Sequence, residues 1–97
     1  MADMRESTVE DYLIAEVKKL GGEVRKVQWI GRRRAPDRLV LLPGCASFVE
    51  LKRPGKDATD EQAREHDKMR RAGLSVWVLT SKGEVDEFIQ HRRRYIE

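Results

Sequence analysis

A single cysteine, Cys45, excludes an intramolecular disulfide. The two histidines stand far apart and share no spacing with that cysteine, so no zinc-ligand pattern appears. No apolar stretch is long enough to span a bilayer. No signal-peptide pattern opens the chain, and no repeat or low-complexity linker divides it. The expectation is a soluble intracellular protein without disulfides, zinc sites or membrane spans.

What remains is charge. Of 97 residues, 38% are charged and 39% apolar, which leaves room for one small core in a single domain over residues 1–97. A core this small also suggests a second copy of the chain as partner, a homodimer. The net charge of +3 is modest, but it is clustered. Arg32-Arg33-Arg34, Lys52-Arg53 with Lys56, and Arg92-Arg93-Arg94 form three basic runs. One run is commonly a solvated face. Three together point to a polyanion whose counterions are released on binding.

The periodicities predict the order α-β-β-β-α-β-α. "STVEDYLIAEVKKLGG" reads as a helix with Ser7 as N-cap, Glu10 three residues on and an apolar stripe at Leu13, Ile14, Val17 and Leu20. "EVRKVQWI" reads as a strand, broken by "GRRRAP". Residues 37–42 and 47–52 form an antiparallel hairpin, with Pro43-Gly44 at the centre of a type II turn. "TDEQAREHDKMRRAG" is a second helix between Thr59 and Gly73. "LSVWVLTS" reads as a strand buried on both faces, parallel to its neighbour. Ser81 and Glu84 open a last helix whose stripe is Val85, Phe88 and Ile89, joined by Ile96. The fold class is α/β: a mixed four-stranded sheet flanked by helices.

The hairpin carries three residues that do not suit a core. Side chains alternate along a strand, so Glu50 and Lys52 share one face, roughly 6.5–7 Å apart. With residues 43 and 44 as the turn, residue 42 faces 45 and residue 37 faces 50; a register slipped by two sets residue 37 opposite 52 instead. Asp37 then joins Glu50 and Lys52 on one surface, while Leu39, Leu41, Val49 and Leu51 are expected to pack. Two neighbouring carboxylates repel unless a cation lies between them, and a hard divalent ion with oxygen ligands is the natural candidate. Magnesium takes one or two protein carboxylates, with waters and phosphate oxygens completing its shell. A lysine beside it can position water or hold a phosphate. These parts suffice for phosphodiester hydrolysis. The alternative is a solvated cross-strand ion pair, worth about 0.2–1 kcal/mol.

Neighbouring residues allow two readings each. Glu10 lies on or beside the buried stripe of its helix, aimed at the sheet, but it is also the N3 residue of a capping box with Ser7. Gln62 either caps Thr59 or points its amide at the site. His66 reads as a polar residue at the edge of a packed face, and Trp29 and Trp77 as core. Lys26 either contacts the ligand or is solvated.

Together these stretches resemble the VRR-NUC domain of the PD-(D/E)xK nuclease superfamily. The similarity runs over residues 7–89, through "VEDYLIAEVKKLGGEV", "APD", "FVELKRPG", "DEQAREHDKMRRAG" and "VWVLTSKGEVDEF". Its most specific pieces are Pro36-Asp37, Glu50-Leu51-Lys52 and Gln62. The resemblance implies a restriction-endonuclease-like core and a Mg2+- or Mn2+-dependent deoxyribonuclease. Asp37 and Glu50 would be metal ligands, with the Leu51 backbone carbonyl as a third and Glu10 assisting. Lys52 would orient the attacking water, and Gln62 matches the family's glutamine. Lys26, Arg32, Arg33, Arg34, Arg53 and Lys56 are the expected DNA contacts.

Stand-alone phage and bacterial members of this size are similar to dimeric junction-resolving enzymes. That implies a DNA-repair type of substrate, branched DNA, in the cytoplasm of a bacterial or phage-infected cell. Two positions depart from the family pattern: Arg34-Ala35-Pro36-Asp37 stands where Gly-x-Pro-Asp is common, and Arg38 stands where an aliphatic residue is common. Two alternatives compete with the nuclease: a non-catalytic basic DNA-binding module, and a nuclease subunit that needs a partner.

Overall fold

The structure is a computed structural model that describes residues 6–96, so the ends of the expected 1–97 domain lie outside the described residues. The elements are α1 (Glu6–Lys19), β1 (Glu23–Lys26), β2 (Arg38–Leu42), β3 (Cys45–Leu51), α2 (Asp60–Arg71), β4 (Val76–Leu79) and α3 (Lys82–Arg92), then a 3-10 turn at Arg93–Tyr95. The predicted order α-β-β-β-α-β-α is present. The sheet runs β1-β2-β3-β4; β1–β2 and β2–β3 pair antiparallel, and β4 is parallel to β3. No helix among the described residues is long and apolar enough to cross a membrane.

The hairpin forms in the predicted register. Leu42 faces Cys45 and Arg38 faces Val49, and Gly44 takes the φ of 87° that the third position of a type II turn requires. One face of the sheet carries the main core: Val9, Leu13 and Val17 of α1, Val40 and Leu42 of β2, Val49 and Leu51 of β3, Leu79 of β4, and Val85, Phe88 and Ile89 of α3. Leu20, Trp77 and Ile96 pack against its rim.

The parity of β2 corrects one expectation. Arg38, Val40 and Leu42 are its buried residues; Leu39 and Leu41 are only half-buried, on the face that Asp37 shares by alternation. The covered face is the one opposite Asp37, because α1 and α3 both pack there.

Helix ends follow the sequence signals, with two exceptions. α1 closes in a Schellman motif: the Gly22 N–H donates to Val17 O (3.0 Å) and the Gly21 N–H to Lys18 O (3.0 Å), with Gly21 at φ 81°. Gly22 is required for a different reason, since a Cβ there would stand 2.1 Å from the Leu41 carbonyl oxygen. α2 has the full capping box between Thr59 and Gln62, and α3 has Ser81 as N-cap. The Glu84 carboxylate, however, accepts from the Thr80 N–H and hydroxyl instead of completing a box with Ser81. The expected N-cap of α1 is also corrected: Ser7 lies inside a helix that already includes Glu6.

Two strand expectations were too generous. β1 stops at Lys26, four residues before the predicted end. Only the Val27 N–H, donating to Asp37 O at 2.9 Å, prolongs its pairing. Beyond it Trp29 leaves the sheet plane for Phe48, with ring centroids 5.5 Å apart. β4 is an edge strand, and only Val76 and Leu79 of it are fully buried.

Candidate active site

The β2–β3 ladder ends at the pair Arg38–Val49, and its register extended by one residue sets Asp37, directly before β2, opposite Glu50. Antiparallel partners point to one side of the sheet, so the two carboxylates share the face opposite the main core. Lys52 keeps the alternation, because its N–H donates to Leu79 O at 3.0 Å and prolongs the β3–β4 pairing by one residue. Asp37 and Lys52 both lie close enough to Glu50 to act on it electrostatically.

Their environments differ. The Asp37 side chain is 59% exposed, whereas Glu50 is only 8% exposed beneath α2. Burial first, and then the negative field of Asp37, raise the Glu50 carboxyl to a pKa of about 7, against an opposing pull from Lys52. A further contribution comes from Glu6, one helical turn before Glu10. Glu6 was not among the residues expected near the site; its only sequence signal is that spacing on α1.

His66 is the second residue whose place the sequence understates. It is 1% exposed, and its Nε2 lies 3.5 Å from Glu50 Oε1. Burial, and next the Arg70 guanidinium, hold the imidazole below its usual range. Glu50 shifts up and His66 shifts down, each toward its uncharged form, so neither group stabilises a charge on the other. The geometry of their contact fails as a hydrogen bond, and both Glu50 Oε1 and His66 Nε2 are buried without a partner. A buried carboxylate oxygen without a donor is an open acceptor position.

Arg38 resolves its own anomaly. Its side chain is on the core face, 8% exposed as a residue, at the end of β2 where α1 crosses. There the guanidinium binds the Glu10 carboxylate through Nε and reaches back to Asp37 Oδ1 at 3.0 Å. Both carboxylates raise the arginine pKa further, the Glu10 hydrogen bond most. Glu10 is therefore turned to the sheet, as its place on the stripe suggested, and it meets Arg38 instead of a capping partner. Arg38 in turn links α1 to Asp37.

Gln62 takes the capping reading. Its side-chain oxygen accepts from the Thr59 N–H at 2.9 Å, which leaves its amide NH2 as the group available to a ligand. Among the described residues no three His, Cys, Asp or Glu side chains stand together as a metal-binding group. The oxygen donors the site does offer are the pair Asp37 and Glu50, and Glu50 Oε1 is the orphaned one. Two carboxylates suit a magnesium-like ion that keeps its remaining positions for water and phosphate.

The basic residues divide between faces. Lys26 pairs with Arg38, so its side chain leaves the sheet on the face away from Asp37. Arg32 and Arg34 bridge to Glu65 and Glu61 of α2 and bring the β1–β2 loop against that helix. Arg33, Arg53 and Lys56 are exposed.

No family model matches the chain. The chain is 46% identical over 80 residues to "Putative nuclease p44" of Acyrthosiphon pisum secondary endosymbiont phage 1, across 81% of this chain and 86% of that protein. A solved structure described as "VRR_NUC domain" superposes with a TM-score of 0.82 at 40% identity, across 92% of this chain and 98% of that one. Sequence and fold coincide over nearly the full length of both relatives, and the hairpin of Asp37, Glu50 and Lys52 lies within that shared core: the chain belongs to the VRR-NUC nuclease family.

Proposed function

We propose that this nuclease is a divalent-metal-dependent, structure-selective DNA endonuclease that hydrolyses phosphodiester bonds in branched DNA. It works as a homodimer in the cytoplasm of a bacterial or phage-infected cell. The observation that carries the reading is Glu50 Oε1, buried and without a hydrogen-bond donor, within the field of Asp37, the residue directly before β2. An unpartnered, partly desolvated carboxylate next to a second one is unfavourable by itself, and Mg2+ or Mn2+ compensates both charges.

Asp37, Glu50 and the Leu51 backbone carbonyl would hold that ion. When bound, it supplies a more acidic water and stabilises charge developing at phosphorus. Lys52, on the same face, orients the attacking water or holds the scissile phosphate. The free amide NH2 of Gln62 offers a donor to a phosphate oxygen. Arg38 keeps Glu10 and Asp37 in place from the core side, so that Asp37 is a ligand on a rigid strand start and not a loose turn residue. Arg32, Arg33, Arg34, Arg53 and Lys56 bind the DNA backbone, whereas Lys26, on the opposite face of the sheet, reaches only DNA that wraps the β1 edge. In a dimer, two such sites address two strands of one branch.

A cleavage panel of single-stranded, duplex, flap and four-way-junction DNA, run with Mg2+, Mn2+ or EDTA, tests this. Cutting of branched substrates with either ion, and none in EDTA, is expected. Undiminished cutting in EDTA, or binding without cutting under any divalent ion, would overturn the reading.

A further inference from the structure

Ile30 is 99% exposed, far beyond the 42% of Ile14 and Leu74 or the 51% of Tyr95. An isolated apolar side chain on a surface needs no explanation in general. Ile30 differs in how it is held. It sits at a turn with Gly31, whose φ of 77° is reached without strain only by glycine. The residue before it, Trp29, is pinned twice: its ring packs on Phe48, and its Nε1–H donates to Pro36 O at 2.7 Å. Arg32 and Arg34, after it, are tied to α2 by their ion pairs with Glu65 and Glu61. Arg33, between them, has no ion pair among the described residues.

The pins lead to the site. Phe48 lies two residues before Glu50 on the same face of β3, and Pro36 directly precedes Asp37. The loop thus presents an isolated aliphatic tip, with the exposed Arg33 guanidinium three residues on, on a frame anchored beside both carboxylates.

We infer that Ile30 is a wedge: it enters the base stack at a branch or distorted step of the bound DNA while Arg33 holds the adjacent phosphate. Apolar side chains flanked by arginines insert between bases in this way, and each unstacked step costs less where pairing is already interrupted. The wedge therefore favours branched over regular duplex DNA and fixes which phosphate reaches Asp37 and Glu50. This inference rests on the DNA reading above and supplies a physical source for structure selectivity.

The test measures binding in EDTA, separately from cutting. Four-way-junction and duplex DNA carry 2-aminopurine next to the branch or at the matching duplex position. The wild type should raise junction fluorescence on binding. Ile30→Ala should lose that rise and bind the junction about tenfold more weakly, with duplex affinity unchanged. Ile30→Leu should restore both. The tip is solvated, so its removal leaves no cavity, and an unchanged circular dichroism spectrum and melting temperature verify the fold. Equal affinity and equal fluorescence for Ile30→Ala and wild type would overturn the wedge and leave the nuclease reading intact. No DNA binding by either protein would overturn both. A fall in light-scattering mass for Ile30→Ala would place Ile30 between two copies of the chain and also overturn the wedge.

Discussion

Asp37→Asn and Glu50→Gln should each cut branched DNA at least about a thousandfold more slowly than the wild type, a loss of roughly 4 kcal/mol of transition-state stabilisation. The expected size follows from the proposed ion, which both carboxylates hold; neither ligand suffices alone. DNA affinity should be retained or slightly improved, because it comes from Arg and Lys contacts to phosphates and two negative charges become one. Neither substitution threatens the fold. The Asp37 side chain is 59% exposed and its contact with Arg38 is one of two that this arginine makes to carboxylates. Gln is isosteric with Glu at position 50. Gel-based cleavage with Mn2+, beside anisotropy measurements of binding, separates the two effects. Cutting by both variants at the wild-type rate would remove Asp37 and Glu50 from the chemistry.

Glu50→Gln should also make the metal-free protein more stable at alkaline pH. The folded-state pKa of Glu50, about 7, is raised above its ordinary 4.5, chiefly by burial. Its protonated form is compatible with the fold, so that contribution is fully present below pH 4.5. It is lost as the pH rises through 7, when the buried carboxylate must ionise. Glutamine does not titrate. The stability gap between variant and wild type should therefore open between pH 4.5 and 7 and stay level above, at about 3 kcal/mol. Thermal unfolding in EDTA at pH 5 and pH 8.5 measures it, with an expected rise of roughly 15 °C for Glu50→Gln at the higher pH. A gap that is the same at both pH values would show that Glu50 is not held above its ordinary range. The same shift implies that metal affinity weakens as the pH falls below about 7, because protons compete for the ligand. Stability given up at Glu50 without metal is thus tied to the proposed activity.

Those two results concern residues that could be located from the sequence, and the reason is local. The Pro43-Gly44 turn fixes the pairing, pairing fixes parity, and parity puts Asp37 with Glu50. Each step depends on neighbours only a few residues apart. The same holds for Thr59, Gln62 and Gly73 at the ends of α2. The resemblance to VRR-NUC domains rests on this hairpin and agrees with the sheet order and with the 46% identical phage relative.

Features decided by long-range packing were harder to read. Val27, Trp29 and Ile30 have strand-like side chains, yet the chain leaves the sheet after Lys26 because Trp29 finds Phe48 and the Pro36 carbonyl. Leu39 and Leu41 look like core residues. The buried side of β2 is instead set by α1 and α3, which cover Val40 and Leu42. Arg38 looks misplaced until α1 brings Glu10 across to it from 28 residues away in sequence. His66 and Glu50 belong to different elements, and only the packing of α2 over β3 sets them 3.5 Å apart. Sequence periodicity indicates which side chains share a face of one element; which element covers that face emerges only when the whole sheet is assembled.

At the centre of the account is a single claim, that Asp37 and Glu50 together hold the divalent ion on which cleavage depends. Calorimetric titration of Mn2+ into the wild type, Asp37→Asn and Glu50→Gln at pH 8 addresses it without DNA or turnover. Saturable binding by the wild type, lost in both variants, is the predicted result. Binding of equal affinity and stoichiometry by all three proteins would contradict it.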